Sequence, residues 1–416
     1  MEIASPLAYF ALWVIVCLCA HALSLATGRG SGIAHRSAGQ YFAGIDGLRG
    51  ILAMNIFFHH SLVNYYYLQT GAWLLPPSNF YAQLGPMSVT MFFFVTGFLF
   101  WTKAIASPGD LAPRKFFVKR LRRLMPAYLG SLSVILLIIA IKSNFHLLVS
   151  LRDLVVEVAS WALCGLPHRF LPINSMVTTQ VNAGVFWTLR VEWAFYLSLP
   201  LLGWFATKAR VFLLFLLCGL TVKLYDVAWH PSASIDSVAS GVEIFRMWGY
   251  WMVIGFGVGM MAAHVKADRK TWPALRHPAC TVAAILLLAI VFFLAPPRAG
   301  VLESALLAPI FLMIVFGNDF HGLLTCRPIA YLGDISYSVY LLHGIVLYAF
   351  FRGFRRYFHF VPRSLTLYWV LIGLLGAVLV LVASVSYHYL ELGFMGRKGK
   401  SGAGNREAVS ETGVRV

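Results

Sequence analysis

The sequence predicts an all-α fold, a polytopic transmembrane bundle of about eleven helices, and three observations carry that prediction. Apolar residues make up 59% of the 416 positions, charged residues only 12%, and the mean hydropathy is +0.76, values too apolar for a soluble domain of this size. Apolar runs long enough to span a bilayer recur along the chain with short polar intervals between them. Lys plus Arg number 33 against 16 Asp plus Glu, giving +17, and most of the basic residues fall in the gaps between runs. That placement sets topology and forms no continuous basic stripe, so no nucleic-acid partner is expected.

The first run extends from about Leu7 to Ala26. No Lys or Arg precedes it, so it reads as an uncleaved helix rather than a signal peptide. Further runs fall near 45–66, 85–104, 124–142, 185–206, 210–228, 244–264, 279–295, 301–317, 331–351 and 366–390. The polar interval 143–184 carries an amphipathic piece, Leu151 to Leu166, that suits a lid or an interfacial helix. Gly255, Gly257 and Gly259 lie inside an apolar helix with no strand before them, which favours close helix packing over a phosphate loop. The tail from Gly396 to Val416 is Gly-rich and polar and is expected to be a disordered cytosolic segment. The six cysteines lack zinc-site or disulfide spacing, so they are read as packing residues and no metal is expected.

With the amino terminus outside, most Lys and Arg fall in the loops assigned to the cytosol, chiefly the Lys103 to Arg123 cluster and the tail, and the positive-inside rule selects that orientation. Arg352, Arg355, Arg356 and Arg363 resist it, and an external anionic glycan or lipid headgroup is one reason for basic residues there.

Ionisable side chains inside such runs are costly and are functional-site candidates by default. Arg49 and His60 share the run Ile45 to Ser61. Eleven residues at about 100° each place them on one helix face, roughly 16 Å apart, the reach of an extended acyl-pantetheine arm. Counting rise from the run ends puts His60, Glu192 and His343 at similar depths in the outer half of a ~30 Å core, which predicts one polar chamber containing all three. His59, turned by about 100°, points elsewhere and reads as supporting. Thr188, Glu192 and Tyr196 recur at i, i+4 and i+8 and form a polar stripe, which an interhelical hydrogen-bond seam would also explain. At the cytosolic side Lys119, Arg120, Arg122 and Arg123 lead into a helix. Ordinary cytosolic basicity accounts for them, and so does a phosphate-rich nucleotide that wants a forked cluster.

Five blocks in order resemble the acyltransferase-3 family of membrane acyltransferases over about Ile45 to Glu391. They are Arg49 with His60; Phe92-Phe-Phe-Val-Thr-Gly-Phe98; Lys119-Arg120 with Arg123 and Pro126; Trp187-Thr-Leu-Arg-Val-Glu192 with Phe195-Tyr196; and Leu332-Gly-Asp-Ile-Ser-Tyr-Ser-Val-Tyr-Leu-Leu-His343. The resemblance implies a ten-helix unit that moves an acyl group, often acetyl, from cytosolic acyl-CoA to a hydroxyl of a glycan or other acceptor. On that basis residues 1–40 are an extra helix with a basic cytosolic linker, 41–395 the membrane acyltransferase domain and 396–416 the tail. Thr96 and Thr188 stand where the family commonly has Ser, and Gly393 where Pro often follows the terminal Glu.

The expected reaction uses acyl-CoA as donor substrate and no permanently bound cofactor. A glycan or lipid-linked glycan is the acceptor, and the protein sits in lipid, in a bacterial cytoplasmic (inner) membrane. His60 is the expected general base or a transient acyl carrier, and Glu192 orients His60 or the acceptor. Arg49, Lys119, Arg120 and Arg123 hold donor phosphates. His59, Trp187, Thr188, Tyr196, Ser336, Tyr340 and His343 line the chamber. The rival from another class is a proton-coupled secondary transporter of a small polar or anionic solute, in which buried His, Glu and Arg form the path. The chain shows no internal repeat and no matched pair of broken helices to support it.

Overall fold

A computed structural model describes residues 5–30, 42–106, 113–166, 170–208, 213, 217, 219–221, 251–269, 271–297, 300–353 and 364–395. Expectations for most of 210–228, for Arg355, Arg356 and Arg363 and for the tail lie outside them. The described residues are helical and contain no named strand, only an isolated bridge between Ile173 and Met176.

The helices in chain order are α1 (Pro6–Thr27), α2 (Ala43–Thr70), α3 (Asn79–Ala106), α4 (Pro113–Lys142), α5 (Leu151–Ala162), α6 (Trp187–Leu202), α7 (Gly257–Asp268), α8 (Pro278–Ala289), α9 (Val301–Val315), α10 (Arg327–Asp334), α11 (Ser336–Tyr348), α12 (Leu365–Ser386) and the short α13 (Gly393–Met395). Among the described residues, four stretches are long and apolar enough to cross a membrane: Pro6–Thr27, Asn79–Ala106, Arg114–Lys142 and Leu365–Met395. The protein is thus a multi-pass membrane protein. Helix α2 is as long as α3 yet falls outside that set, because it carries Asp46, Arg49, Asn55, His59, His60 and Asn64. Its inner surface serves the site rather than lipid.

Helix–helix approach in this core depends on missing side chains. A Cβ on Gly333 would lie 2.1 Å from the Asp46 carbonyl oxygen, and one on Gly50 would lie 2.6 Å from the Gly333 nitrogen. The first half of α2 is therefore packed backbone to backbone against α10. Gly259 and Gly97 do the same for α7 and α3: a Cβ on Gly259 would meet the Phe94 carbonyl oxygen at 2.0 Å. The glycine stretch read from the sequence as a packing device is used that way.

Two departures from the expected spans shape the site. The run 331–351 is not one helix. Residues Arg327–Asp334 and Ser336–Gly353 bend by 76° at Ile335, and the Ser336 hydroxyl donates 2.9 Å to the Gly333 carbonyl to cap the break. Second, the segment before α6 does not stay at the surface. Ile173, Asn174, Val181, Asn182, Ala183, Val185 and Phe186 are buried, and a Cβ on Gly344 would strike the Asn182 backbone at 2.3 Å. The chain enters the bundle at the level of His343 before α6 begins.

The amphipathic piece forms α5. The Ser150 hydroxyl accepts from the Asp153 N–H at 3.2 Å and donates to its carboxylate at 2.7 Å, a reciprocal cap on the first turn. Leu151, Val155 and Val156 are exposed, while the Trp161 carbonyl oxygen accepts from the Tyr128 hydroxyl at 2.5 Å. One face is thus free for the membrane interface and the other is docked on α4. The extra helix α1 is also integral: the Tyr9 hydroxyl donates 2.7 Å to Asn55 of α2, and Arg327 donates to Ser24.

Candidate active site

A cavity of about 380 Å³ lies between α2, α3, α4, α6 and the α10–α11 break. Four basic side chains line it (Arg49, Lys103, Arg120, Arg123), and so do four acidic ones (Asp46, Glu192, Asp334, Glu391). Arg49 is brought there by the Gly50–Gly333 contact and pairs with Asp46 one turn earlier at 3.5 Å. Arg120 and Arg123 share a face of α4 at i, i+3, and the Arg120 guanidinium lies 4.7 Å from the centre of the Phe100 ring. A guanidinium over an aromatic ring can still offer N–H groups to an oxyanion. Asp334 and Ser336 flank the helix break. Glu391 sits in the wide turn Tyr387–Leu392 at the end of α12, and its carboxylate accepts from Ser338 at 2.6 Å.

The polar stripe of α6 faces this cavity as the sequence periodicity requires. The Tyr196 hydroxyl donates to the Glu192 carboxylate, and the Thr188 hydroxyl lies 2.6 Å from the Tyr340 hydroxyl. Tyr340 also donates to the Val185 carbonyl at 2.8 Å, so its ring is held at the cavity's end.

Past Tyr340 lie the two imidazoles. Its ring centre is 6.0 Å from that of His343, and His343 stacks on His60 with centres 5.1 Å apart. Nε2 of His343 is 3.1 Å from Nδ1 of His60, and Nδ1 of His343 is 2.8 Å from the Tyr340 carbonyl oxygen. A carbonyl can only accept, so His343 carries its proton on Nδ1 and presents a lone pair at Nε2. His60 then donates from Nδ1, shared with the Ile56 carbonyl at 3.1 Å, and its own Nε2 is left as the basic nitrogen. Trp73 also stacks with His60, with ring centres 6.3 Å apart and planes at 22°.

The structure thus brings Arg49, Arg120, Arg123, Glu192, Thr188, Tyr196, Ser336 and Tyr340 to one cavity, and His60 and His343 to an adjoining pair. It corrects the single chamber expected for His60, His343 and Glu192. A depth counted from the start of an apolar run does not hold for α6, because the chain before it is already inside the bundle, and Glu192 lines the cavity with Arg49. Lys119 is exposed and absent from the cavity lining. His59 points away from His60's partners: its Nδ1 is 2.8 Å from the Tyr81 carbonyl, and its ring fills the space that Gly85 leaves open. Trp187 lies behind the wall, its ring centre 6.5 Å from Phe93. Asp46, Lys103, Asp334 and Glu391 were not among the expected site residues. Asp46 left a local trace in its i, i+3 spacing to Arg49, Asp334 in the Leu332 to His343 block and Lys103 in the basic cluster; Glu391 carried none of that kind.

The acyltransferase-3 profile, described as an acyltransferase domain, matches residues 42–388. The chain is 24% identical over 383 residues to the Bacillus subtilis (strain 168) protein named "Putative peptidoglycan O-acetyltransferase YrhL", an alignment covering 85% of this chain and 54% of that protein. The chain therefore spans about half the length of that relative. No solved structure matches.

Proposed function

The chain belongs to the acyltransferase-3 family, and on that premise we propose that it is an integral membrane O-acyltransferase that moves an acyl group, acetyl by preference, from cytosolic acyl-CoA to a hydroxyl of an extracytoplasmic glycan. The observation that supports this reading best is the adjacency of a guanidinium-lined cavity and an imidazole pair whose tautomers leave His60 Nε2 basic.

In this reading Arg49, Arg120 and Arg123 bind the phosphates of the donor, because forked guanidinium groups suit phosphate oxygens. Lys103 adds charge at the same mouth. The pantetheine arm runs along the cavity towards Tyr340, with its thioester next to the His60–His343 pair. His60 Nε2 takes the proton of the acceptor hydroxyl as that oxygen attacks the thioester carbonyl. The C–S bond breaks, and the CoA thiolate leaves and recovers the proton from His60. His343 holds His60 in the required tautomer. Glu192, tied to Tyr196 and close to the basic cluster, orients the donor rather than His60. The acceptor approaches from the far side of His60, in keeping with the glycan acceptor named for the relative. Placement in a bacterial cytoplasmic membrane follows from a cytosolic donor and an external acceptor.

The test is CoA release by protein in proteoliposomes given acetyl-CoA, with and without isolated cell-wall glycan. Acceptor-dependent thiol release with acetyl recovered as an ester on the glycan is the expected result. Solute flux without CoA release would contradict it.

A further inference from the structure

The arginine-lined cavity and the imidazole pair adjoin without joining. Val89, Phe92, Thr188, Ser336 and Tyr340 line the cavity, whereas His60 and His343 do not, and His343 is fully buried. Tyr340 borders both. Its ring centre lies 6.0 Å from that of His343 and 6.1 Å from that of Phe92, which meets it edge-on. An acyl group carried from the arginine end has to pass this ring before it reaches His60.

The ring is held by its tip. The Tyr340 hydroxyl is 2.8 Å from the Val185 carbonyl oxygen and 2.6 Å from the Thr188 hydroxyl, which is itself 3.0 Å from the same carbonyl. Each hydroxyl has one proton, so one proton goes to the carbonyl and the other joins the two hydroxyls. These are bonds between neutral groups, and losing one shifts an equilibrium by only about two- to tenfold. The backbone of Tyr340 is fixed separately, because its carbonyl accepts from Nδ1 of His343 at 2.8 Å. The side chain can therefore leave its place by a rotamer change while the protons of the imidazole pair stay as they are.

We propose that Tyr340 is a gating residue that guards the thioester against hydrolysis. Held by Thr188 and Val185, its ring shuts the His60–His343 pair off from the donor cavity, and the passage is open only in the minority of molecules in which that hold is broken. The proposal rests on the acyl-transfer reading for what the gate protects, and on the geometry alone for the gate itself. With the passage open and no acceptor present, water takes the acceptor's place. Its oxygen attacks the thioester carbonyl while His60 Nε2 takes its proton, the C–S bond breaks, and the CoA thiolate recovers that proton, leaving acetate and free CoA.

Two variants loosen the hold without stranding a buried group. In Tyr340→Phe the Thr188 hydroxyl still donates to the Val185 carbonyl, and in Thr188→Val the Tyr340 hydroxyl does. The first readout needs no acyl transfer: His60→Cys is placed in the full chain lacking the six native cysteines, and a sulfonated methanethiosulfonate reagent is confined to the face of oriented proteoliposomes that bears Arg120. Labelling should be about tenfold faster with Tyr340→Phe and rise less with Thr188→Val, in proteins that keep the parent's thermal transition. The second readout is CoA release from acetyl-CoA without acceptor, with His60 intact, and it should rise in the same order. Labelling as fast in the parent as in both variants overturns the gate. The two ideas fail separately: transfer to glycan with labelling unchanged removes only the gate, whereas faster labelling in a protein that never releases CoA removes only the transfer reading.

Discussion

His60 and His343 are hydrogen-bonded ring to ring, with Nδ1 of the first 3.1 Å from Nε2 of the second, although 283 positions separate them in the chain. The Tyr340 carbonyl fixes the proton on His343, and His343 in turn fixes the proton on His60. In the proposed reaction one imidazole acts and the other positions it.

That relationship predicts different failures for the two. His60→Ala should lower kcat by about 10²–10⁴-fold, the usual worth of a positioned general base. His343→Phe should lose less, about tenfold, with donor KM unchanged, because only the orientation of His60 relaxes. His59→Phe should affect thermal stability rather than kcat. Single-turnover transfer in detergent measures all three, and equal losses in the His60 and His343 variants would remove the division of labour.

Arg120→Ala and Arg123→Ala should each raise donor KM about tenfold or more at nearly unchanged kcat, since a charge-assisted phosphate contact made equally in ground and transition states is uniform binding. Lys119→Ala should leave KM alone, because that side chain is exposed and outside the cavity. A fall in kcat at constant KM would show that the arginines do not clamp the donor.

Much of the fold was legible in the sequence because apolar run length is a local property. The polar stripe Thr188, Glu192 and Tyr196 and the Arg120, Arg123 pair were legible for the same reason, since helix periodicity alone puts them on one face. What failed was depth. The count for Glu192 took the start of an apolar run as the membrane edge, whereas the chain through Val181 to Phe186 is buried before α6 starts. The 76° break at Ile335 was equally hidden, since it is held by contacts of Gly333 with Asp46 and Gly50, far away in sequence. Glu391 belongs to the same class, because its place depends on where the end of α12 meets α11.

The packing argument predicts that Gly333→Ala lowers the thermal midpoint measurably, by the roughly 1–3 kcal/mol of an overpacked core or more, because its Cβ would lie 2.1 Å from a backbone oxygen that cannot swing away. Gly393→Ala, with nothing within 4 Å of its Cβ, should be neutral. Thermal unfolding in detergent separates them, and an unchanged midpoint for Gly333→Ala would mean that α2 and α10 are not packed as described.

Sidedness is tested on a background lacking the six native cysteines. Val177→Cys, at an exposed position in the segment before α6, should react with an impermeant thiol reagent from outside, and Lys119→Cys only from the cytosolic side. Labelling of both from one side would overturn the orientation.

The central claim is that one acyl group passes from the arginine-lined cavity, by way of His60, to an acceptor on the opposite face. Oriented proteoliposomes test it most directly, with acetyl-labelled CoA confined to the face that bears Arg120 and glycan confined to the other. Label esterified to the glycan across the bilayer in the wild type, and lost in His60→Ala, is the predicted result. Esterification only when donor and acceptor share a compartment, or undiminished transfer by His60→Ala, would contradict the account.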